Sequence, residues 1–388
     1  MKSSELQPRS LLCVTGMGMV ASLGFDVATC CAAARAGLSR AQPLLAYPVR
    51  TATGEDVGLS CHTVPIATDG FEGDWRLLRL ATLALRDLDQ REPWLKDAAR
   101  SGCYLSLPPT PRVPVDAADP KASLPQGEAP DDADEPAAAP PDPWQRAESL
   151  WARAAAPLKW RAVPPLRHLA LSGHTGFLRA LEQASRDLVA GLVDVAIVGG
   201  VDSLIDTDFL NWLEATQRLK TPNAPAGVQP GEAAAFLLLE SDAHASARGA
   251  GARAALRGLA FGQEPHLMGA DDPPTGKALA SALHEAMRGI RFKHQLPLWV
   301  LSDHTGEPYR AMDWGSAAVH LEAAHKAQVV GAMSFTAASF GDTGAASGAI
   351  ALCMAASAFE RGYAAAPIAA LVSCADSGDR AVLLCQAA

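Results

Sequence analysis

A histidine, a carboxylate and a hydroxyl brought together can transfer acyl groups: the hydroxyl attacks, the imidazole takes its proton, and the carboxylate orients the imidazole. The 388-residue chain presents such residues behind two nearly identical openings. Ser172-Gly173-His174-Thr175-Gly176 precedes one helix-like segment, and Phe340-Gly341-Asp342-Thr343-Gly344 precedes another. Both read Gly-x-Thr-Gly, with histidine as the variable residue in the first and aspartate in the second. Ser172 and Thr175 are the nearby hydroxyls, and a further histidine, His304, follows the apolar run Leu298–Leu301. His174 and Asp342 are separated by a little under half the chain, which suggests two related halves with helix N-termini in equivalent positions.

Thiol and metal chemistry have less to draw on. The eight cysteines (Cys13, Cys30, Cys31, Cys61, Cys103, Cys353, Cys374, Cys385) are irregularly spaced, with no CxxC pair and no histidine spacing that suits zinc. They read as small buried hydrophobes of a reducing compartment, Cys30 and Cys31 packing within an alanine-rich helix. No metal and no cofactor are expected. The formal charge of −9 is local: eight acids and one lysine between Asp116 and Asp142 account for −7 of it. The surrounding stretch, Pro108 to Pro143, holds 11 of the 28 prolines, so an extended, disordered acidic insertion is expected over about 107–143. It reads as a solvated loop or as a docking arm for a basic partner. Nucleic acid is disfavoured as a partner, because no basic stripe faces phosphate. No apolar stretch is long enough to span a bilayer, and the N-terminus lacks a signal-peptide pattern, so a cytoplasmic location is expected.

The elements that must position these residues alternate in type. Strand-like runs fall at Leu11–Thr15, Val193–Val198, Ala233–Leu239, Leu298–Leu301, Val329–Met333 and Ala381–Leu384. Helix-like segments fall at Asp26–Arg35, Leu77–Leu88, Trp144–Ala155, Thr175–Ala190, Gly276–Met287, Trp314–His325 and Thr343–Phe359. Unbroken apolar strands between helices argue for an α/β fold with its sheet covered on both faces. Asp303, Glu307, Arg310 and Asp313 read as an exposed loop with surface ion pairs. Trp144, Trp151 and Trp160 read as packing a short helix on the body.

Four motifs, in order, resemble the β-ketoacyl synthase branch of the thiolase superfamily. They are Val14-Thr15-Gly16-Met17-Gly18-Met19-Val20-Ala21-Ser22-Leu23-Gly24, then Ala190-Gly191-Leu192-Val193-Asp194 through Gly199-Gly200, then Pro230-Gly231-Glu232-Ala233-Ala234, then Gly341 to Gly348. The resemblance implies a thiolase-like five-layered αβαβα fold of two related halves, here 1–250 and 251–388. It also implies a homodimer, or a heterodimer with a ketosynthase-like chain.

The family's chemical residues are largely replaced. Counting back from Gly199 to the place where the family's nucleophilic cysteine belongs reaches His174. The family's second histidine is replaced by Asp342, and its lysine by Ala337. His304, in Ser302-Asp303-His304-Thr305-Gly306, matches the first histidine, while Glu307-Pro308-Tyr309-Arg310 departs from the pattern. The glycine-rich C-terminal turn becomes Ala375-Asp376-Ser377-Gly378-Asp379-Arg380. The family fold makes His174 and Asp342 face one another, so a hydrogen bond between them is expected. The pair reads either as a polar filling of a vacated site or as a base–carboxylate couple serving Ser172 or Thr175, with His304 assisting.

The chain therefore reads as a pseudoenzyme: a catalytically degenerate ketosynthase homologue acting as a binding or adaptor protein. Its expected partner is an active synthase; a resemblance to stand-alone proteins of bacterial type VI secretion clusters implies instead an adaptor for a secretion effector. The alternative is an acyltransferase or acyl hydrolase using His174, His304, Asp342 and a hydroxyl. A retained acyl or pantetheine ligand is a third reading.

Overall fold

Strands covered on both faces read as unbroken apolar runs, and the chain supplies several. The computed structural model describes residues 12–93, 95, 100–110, 112, 142–288, 290, 297–326 and 328–388. The expectation for the acidic insertion falls largely outside the described residues. In chain order the elements are β1 (Leu12–Ala21), α1 (Val27–Arg35), β2 (Gln42–Arg50), β3 (Asp56–Cys61), α2 (Gly73–Arg91), β4 (Ser101–Ser106), α3 (Pro143–Ala155), β5 (Leu166–Ala170), α4 (Gly176–Val189), β6 (Val195–Ser203), α5 (Thr207–Ala215), β7 (Glu232–Ser241), α6 (Asp242–Ala247), β8 (Ala254–Gln263), α7 (Lys277–Met287), β9 (Leu298–Ser302), α8 (Pro308–His325), β10 (Val330–Phe335), α9 (Thr336–Phe340), α10 (Ser347–Glu360), β11 (Ile368–Cys374) and β12 (Asp379–Gln386).

The main sheet has the order β10-β9-β11-β12-β8-β1-β7-β6-β4-β5, while β2 and β3 form a separate hairpin. It consists of two five-stranded halves with one topology. β4 runs parallel to β5 and β6, and β7 pairs antiparallel with β6 and β1. Likewise β9 runs parallel to β10 and β11, and β12 pairs antiparallel with β11 and β8. The halves meet edge to edge only where Cys13 faces Ala255 and Val14 faces Ala254.

Three apolar cores separate the layers. The central core draws on strands of both halves with α1, α4 and α10, including Phe177, Leu181, Ile350 and Leu352. One outer core holds α2 and α3 against the first half, and the other holds α7 and α8 against the second. The result is the five-layered αβαβα arrangement, with α4 and α10 as its middle layer.

Some expectations need correction. The halves do not repeat in the register of the two Gly-x-Thr-Gly motifs. Gly173 and Gly344, left-handed at φ +54° and +46°, each open a 3₁₀ turn, Gly173–Thr175 and Gly344–Ala346, before the 14-residue helices α4 and α10. Gly173 is thus the counterpart of Gly344 and not of Gly341. The first glycine of one motif corresponds to the second glycine of the other, so His174 lies inside its turn and Asp342 before its own. α8 begins at Pro308 rather than Trp314, with proline in its first turn where a missing N–H costs nothing. Trp151 and Trp160 pack together, ring centroids 6.1 Å apart, but Trp144 stays at the surface. Cys30 and Cys31 are buried in α1 as expected.

β1 runs through its glycines to Ala21 because α2 crosses it closely. A Cβ at Gly18 would stand 2.2 Å from the Ala84 carbonyl oxygen and 2.5 Å from the Leu88 nitrogen, both helix backbone. Gly18→Ala is expected to destabilise the fold by about 1–3 kcal/mol through overpacking, read from the urea midpoint.

Candidate functional site

His174 in the turn before α4 and Asp342 in the loop before α10 meet across the middle layer, with Nε2 of His174 2.8 Å from Oδ1 of Asp342. Only 13% of the His174 side chain is exposed, and the carboxylate is buried. Asp342 is fixed by its backbone, whose N–H donates to Gln229 (2.8 Å) and whose carbonyl accepts from Gly231 (2.8 Å). Its Oδ1 also accepts the Gly344 N–H at 2.9 Å, as an acid ahead of a helix commonly does. Burial opposes charge on both groups, but each holds the other. The imidazole pKa stands above its ordinary value because of the Asp342 carboxylate, against Arg310. The Asp342 carboxyl stands below the ordinary carboxylate range because of His174, with Arg310 and the Gly344 N–H assisting.

Around this pair lies a charge cluster, buried except at Asp376, whose side chain is 40% exposed. Arg310, 2% exposed, donates to the Cys374 carbonyl and pairs with Asp376 (3.0 Å) and Glu307 (3.4 Å). Arg218, reaching over from the first half, pairs with the same Glu307 (2.7 Å) and Asp376 (2.8 Å). Burial alone would raise the Asp376 carboxyl, but Arg310, Arg218 and His174 lower it to about 2. Asp303 accepts the Cys374 N–H at 2.8 Å, and its other oxygen, 4.0 Å from Arg310, has no hydrogen-bond partner among the described residues. Behind the cluster, fully buried Arg380 pairs with Asp313 at 2.7 Å. The expectation of an exposed loop at Asp303, Glu307, Arg310 and Asp313 is therefore overturned: all four are buried. The early start of α8 turns Arg310 and Asp313 inward, where the altered 375–380 turn supplies their partners.

The other candidates are engaged elsewhere. Nε2 of His304 donates to the Arg310 carbonyl (2.7 Å) and its Nδ1 takes the Ser302 hydroxyl, so its ring ties the end of β9 to the first turn of α8. Burial lowers its pKa. The buried Thr175 hydroxyl lies 2.8 Å from the Asp379 carboxylate and 3.1 Å from the Ser172 carbonyl. Asp379 also holds Arg179 at 2.6 Å. Ser172 thus meets Thr175 through its backbone. Ala337, on α9, accepts the Gly341 N–H at 3.0 Å. All eight cysteines are free and buried, and desolvation pushes their thiols up, Cys13 to about 11 and Cys31, Cys61 and Cys385 to about 12.

Further contributing residues had no signal beyond their motifs. Glu232, fully buried, accepts from the Val64 N–H (2.7 Å) and the hydroxyls of Thr68 (2.6 Å) and Ser203 (2.8 Å), and it pairs with Arg76. Asp202, just after the Gly-Gly pair, accepts the Ala345 N–H at 2.8 Å and pairs with Arg112.

Solved structures that share this architecture include ketosynthases. The AntDE:AntF complex, a type II polyketide-synthase acyl-carrier protein with its ketosynthase bound to the hexaketide, is 18% identical with a TM-score of 0.73, covering 98% of this chain and 100% of that one. The ishigamide ketosynthase/chain length factor is 19% identical with a TM-score of 0.73 and the same coverage. The ketosynthase from module 6 of the bacillaene synthase of Bacillus subtilis 168 is 12% identical with a TM-score of 0.74, covering 97% of this chain and 72% of that one. The fold is that of the ketosynthases. No protein-family model and no curated protein matches the chain.

Two of the larger cavities lie away from the His174–Asp342 pair. One, about 380 Å³, is lined by Arg76, Arg112 and Arg146, and the other, about 370 Å³, by Trp299, Phe335 and Tyr363. Among the described residues no helix is long and apolar enough to cross a membrane.

Two outcomes follow for stability. Arg310→Ala leaves Glu307, Asp376 and Asp303 short of their shared cation and is expected to cost about 3–5 kcal/mol in denaturant unfolding. The raised pKa of His174 gives stability that is complete below the unfolded value of about 6.5 and lost as pH rises through the folded value. The depressed Asp342 gives stability that is present above about 3.9 and lost as pH falls. Urea midpoints should therefore drop from pH 6 to pH 9 in the wild type, and less so in His174→Ala.

Proposed function

We propose that this chain is a non-catalytic relative of the ketosynthases that works in the cytoplasm by binding another protein. One observation carries the reading: most charged groups at the positions that depart from the family pattern pair with one another, with one oxygen each of Asp303 and Asp313 left without a hydrogen-bond partner among the described residues. His174 is held by Asp342, and Arg310 by Glu307 and Asp376. Arg380 is likewise held by Asp313. Such pairing is what a vacated active site needs once its reactive groups are gone, because buried charge without partners is costly. Eight buried, protonated thiols support the same reading, since acyl capture needs a thiolate.

The partner class we infer is a ketosynthase-like chain, either a second copy or a catalytic homologue. Among the described residues β5 ends the sheet with one side unpaired, the kind of edge that takes a strand from another chain. The ishigamide neighbour is described as a ketosynthase/chain length factor. A type VI effector is the other partner class consistent with an adaptor. The acidic insertion, about 107–143, supplies charge suited to a basic surface of either.

Incubation with malonyl- and acyl-carrier protein is expected to give no decarboxylation or acyl transfer above background, and turnover would overturn the proposal. The charged His174–Asp342 couple favours a second reading, an acyltransferase or acyl hydrolase in which it activates a hydroxyl. That reading requires fluorophosphonate labelling of Ser172 or Thr175, lost in His174→Ala. Because the Thr175 hydroxyl is already held by Asp379, no labelling is the expected result.

A further inference from the structure

On the outer face of the second half, α7 and α8 bring together two histidines that are distant in sequence. Nδ1 of His284 lies 3.3 Å from Nε2 of His325, with ring centroids 5.3 Å apart and planes tilted by 52°. Two imidazole nitrogens bound to one tetrahedral ion at about 2.0–2.1 Å stand about 3.3–3.4 Å apart, so the observed spacing is already that of a bidentate site. A second feature favours a cation there. Each histidine sits in the last turn of its helix, α7 ending at Met287 and α8 at His325. The dipole ends of two helix C-termini place partial negative charge beside the pair. Both histidines are solvent-accessible, and the adjacent Glu285 is occupied by Arg288 at 2.8 Å.

We propose that His284 and His325 form a two-imidazole site for a borderline divalent transition-metal ion, Zn²⁺ or Ni²⁺, tying the last turn of α7 to that of α8. Among the described residues no group of three or more histidine, cysteine or carboxylate side chains is placed to hold a metal, so water fills the remaining positions. In the metal-free pair one facing nitrogen donates its N–H to the other. On binding, that proton moves through solvent to the outer nitrogen of its ring, and both facing lone pairs point at the ion. Soft-to-borderline ions are selected because imidazole suits them and leaves Mg²⁺ to oxygen ligands.

Equilibrium dialysis of the full, tag-free, chelator-treated chain against NiCl₂ or ZnCl₂ tests the site. One ion per chain is expected to bind at this site. Affinity should fall by about tenfold or more in His284→Ala and likewise in His325→Ala, because each variant loses the chelate. The surface variant His320→Ala should bind as the wild type does, and MgCl₂ should not compete. The ion should also raise the melting temperature of the wild type and of His320→Ala, but not of the two site variants, whose metal-free melting serves as the folding control. Unchanged affinity in either site variant, or no binding by the wild type, overturns the proposal.

Discussion

The structure around the His174–Asp342 pair depends on one constraint: a guanidinium withdrawn from water must be surrounded by acceptors. Arg310 is almost fully buried, and the cost of desolvating it is recovered only if every donor finds an oxygen. That requirement places Glu307 one turn earlier on the chain, draws in Asp376 and the Cys374 carbonyl, and leaves Asp303 facing the same charge. Arg218 closes the set from the other half of the molecule. The first turn of α8, the turn before β12 and the loop after α5 are therefore one electrostatic unit. Removing one member strands the others.

The middle layer imposes a complementary demand, that of space. α10 is buried along almost its whole length and consists largely of alanine, serine and glycine. Small side chains let it lie close to α4, and that closeness brings the two helix N-termini to one point. Two carboxylates serve the α10 end: Asp342 accepts from Gly344 and Asp202 from Ala345. Negative charge is favoured there by the amides and the dipole together. The acid at position 342 therefore fits its backbone surroundings as well as its imidazole partner.

Much of this was legible in the sequence, and the failures have physical causes. β6, β7 and α10 are buried along almost their whole length, so their apolar runs are nearly unbroken, whereas α4 carries Arg179, Glu182, Gln183 and Arg186 on one face and shows the 3.6-residue period of an amphipathic helix. The strands β8 and β11 were not legible, because glycines and an arginine interrupt the first and alanines dilute the second. The His174–Asp342 contact could be expected from the family resemblance, although the repeat register inferred from Gly-x-Thr-Gly was wrong by one turn. Gly341 and Gly344 both have positive φ, and only the second opens the helix. The buried cluster was misread because Asp303, Glu307, Arg310 and Asp313 look like surface residues one at a time. Their meaning lies in partners far away along the chain, such as Arg218, which no local pattern reports. His304 matched its motif, but only the structure gives its ring nitrogens to Ser302 and the Arg310 carbonyl.

The seam between the half-sheets has a bearing on how the molecule is assembled. Only Cys13 with Ala255 and Val14 with Ala254 join them as strands, and the connection from β7 to β8 is a short helix and turn on the outside. What else unites the halves is side-chain contact between α4, α10 and the flanking strands, the backbone bonds of Asp342 to Gln229 and Gly231, and the ion pairs of Arg218 and His174. A chain severed between α6 and β8 would keep a complete five-stranded ladder in each fragment. The molecule has the construction of a heterodimer written on one polypeptide, in which the peptide link sets stoichiometry and effective concentration while the interface does the joining.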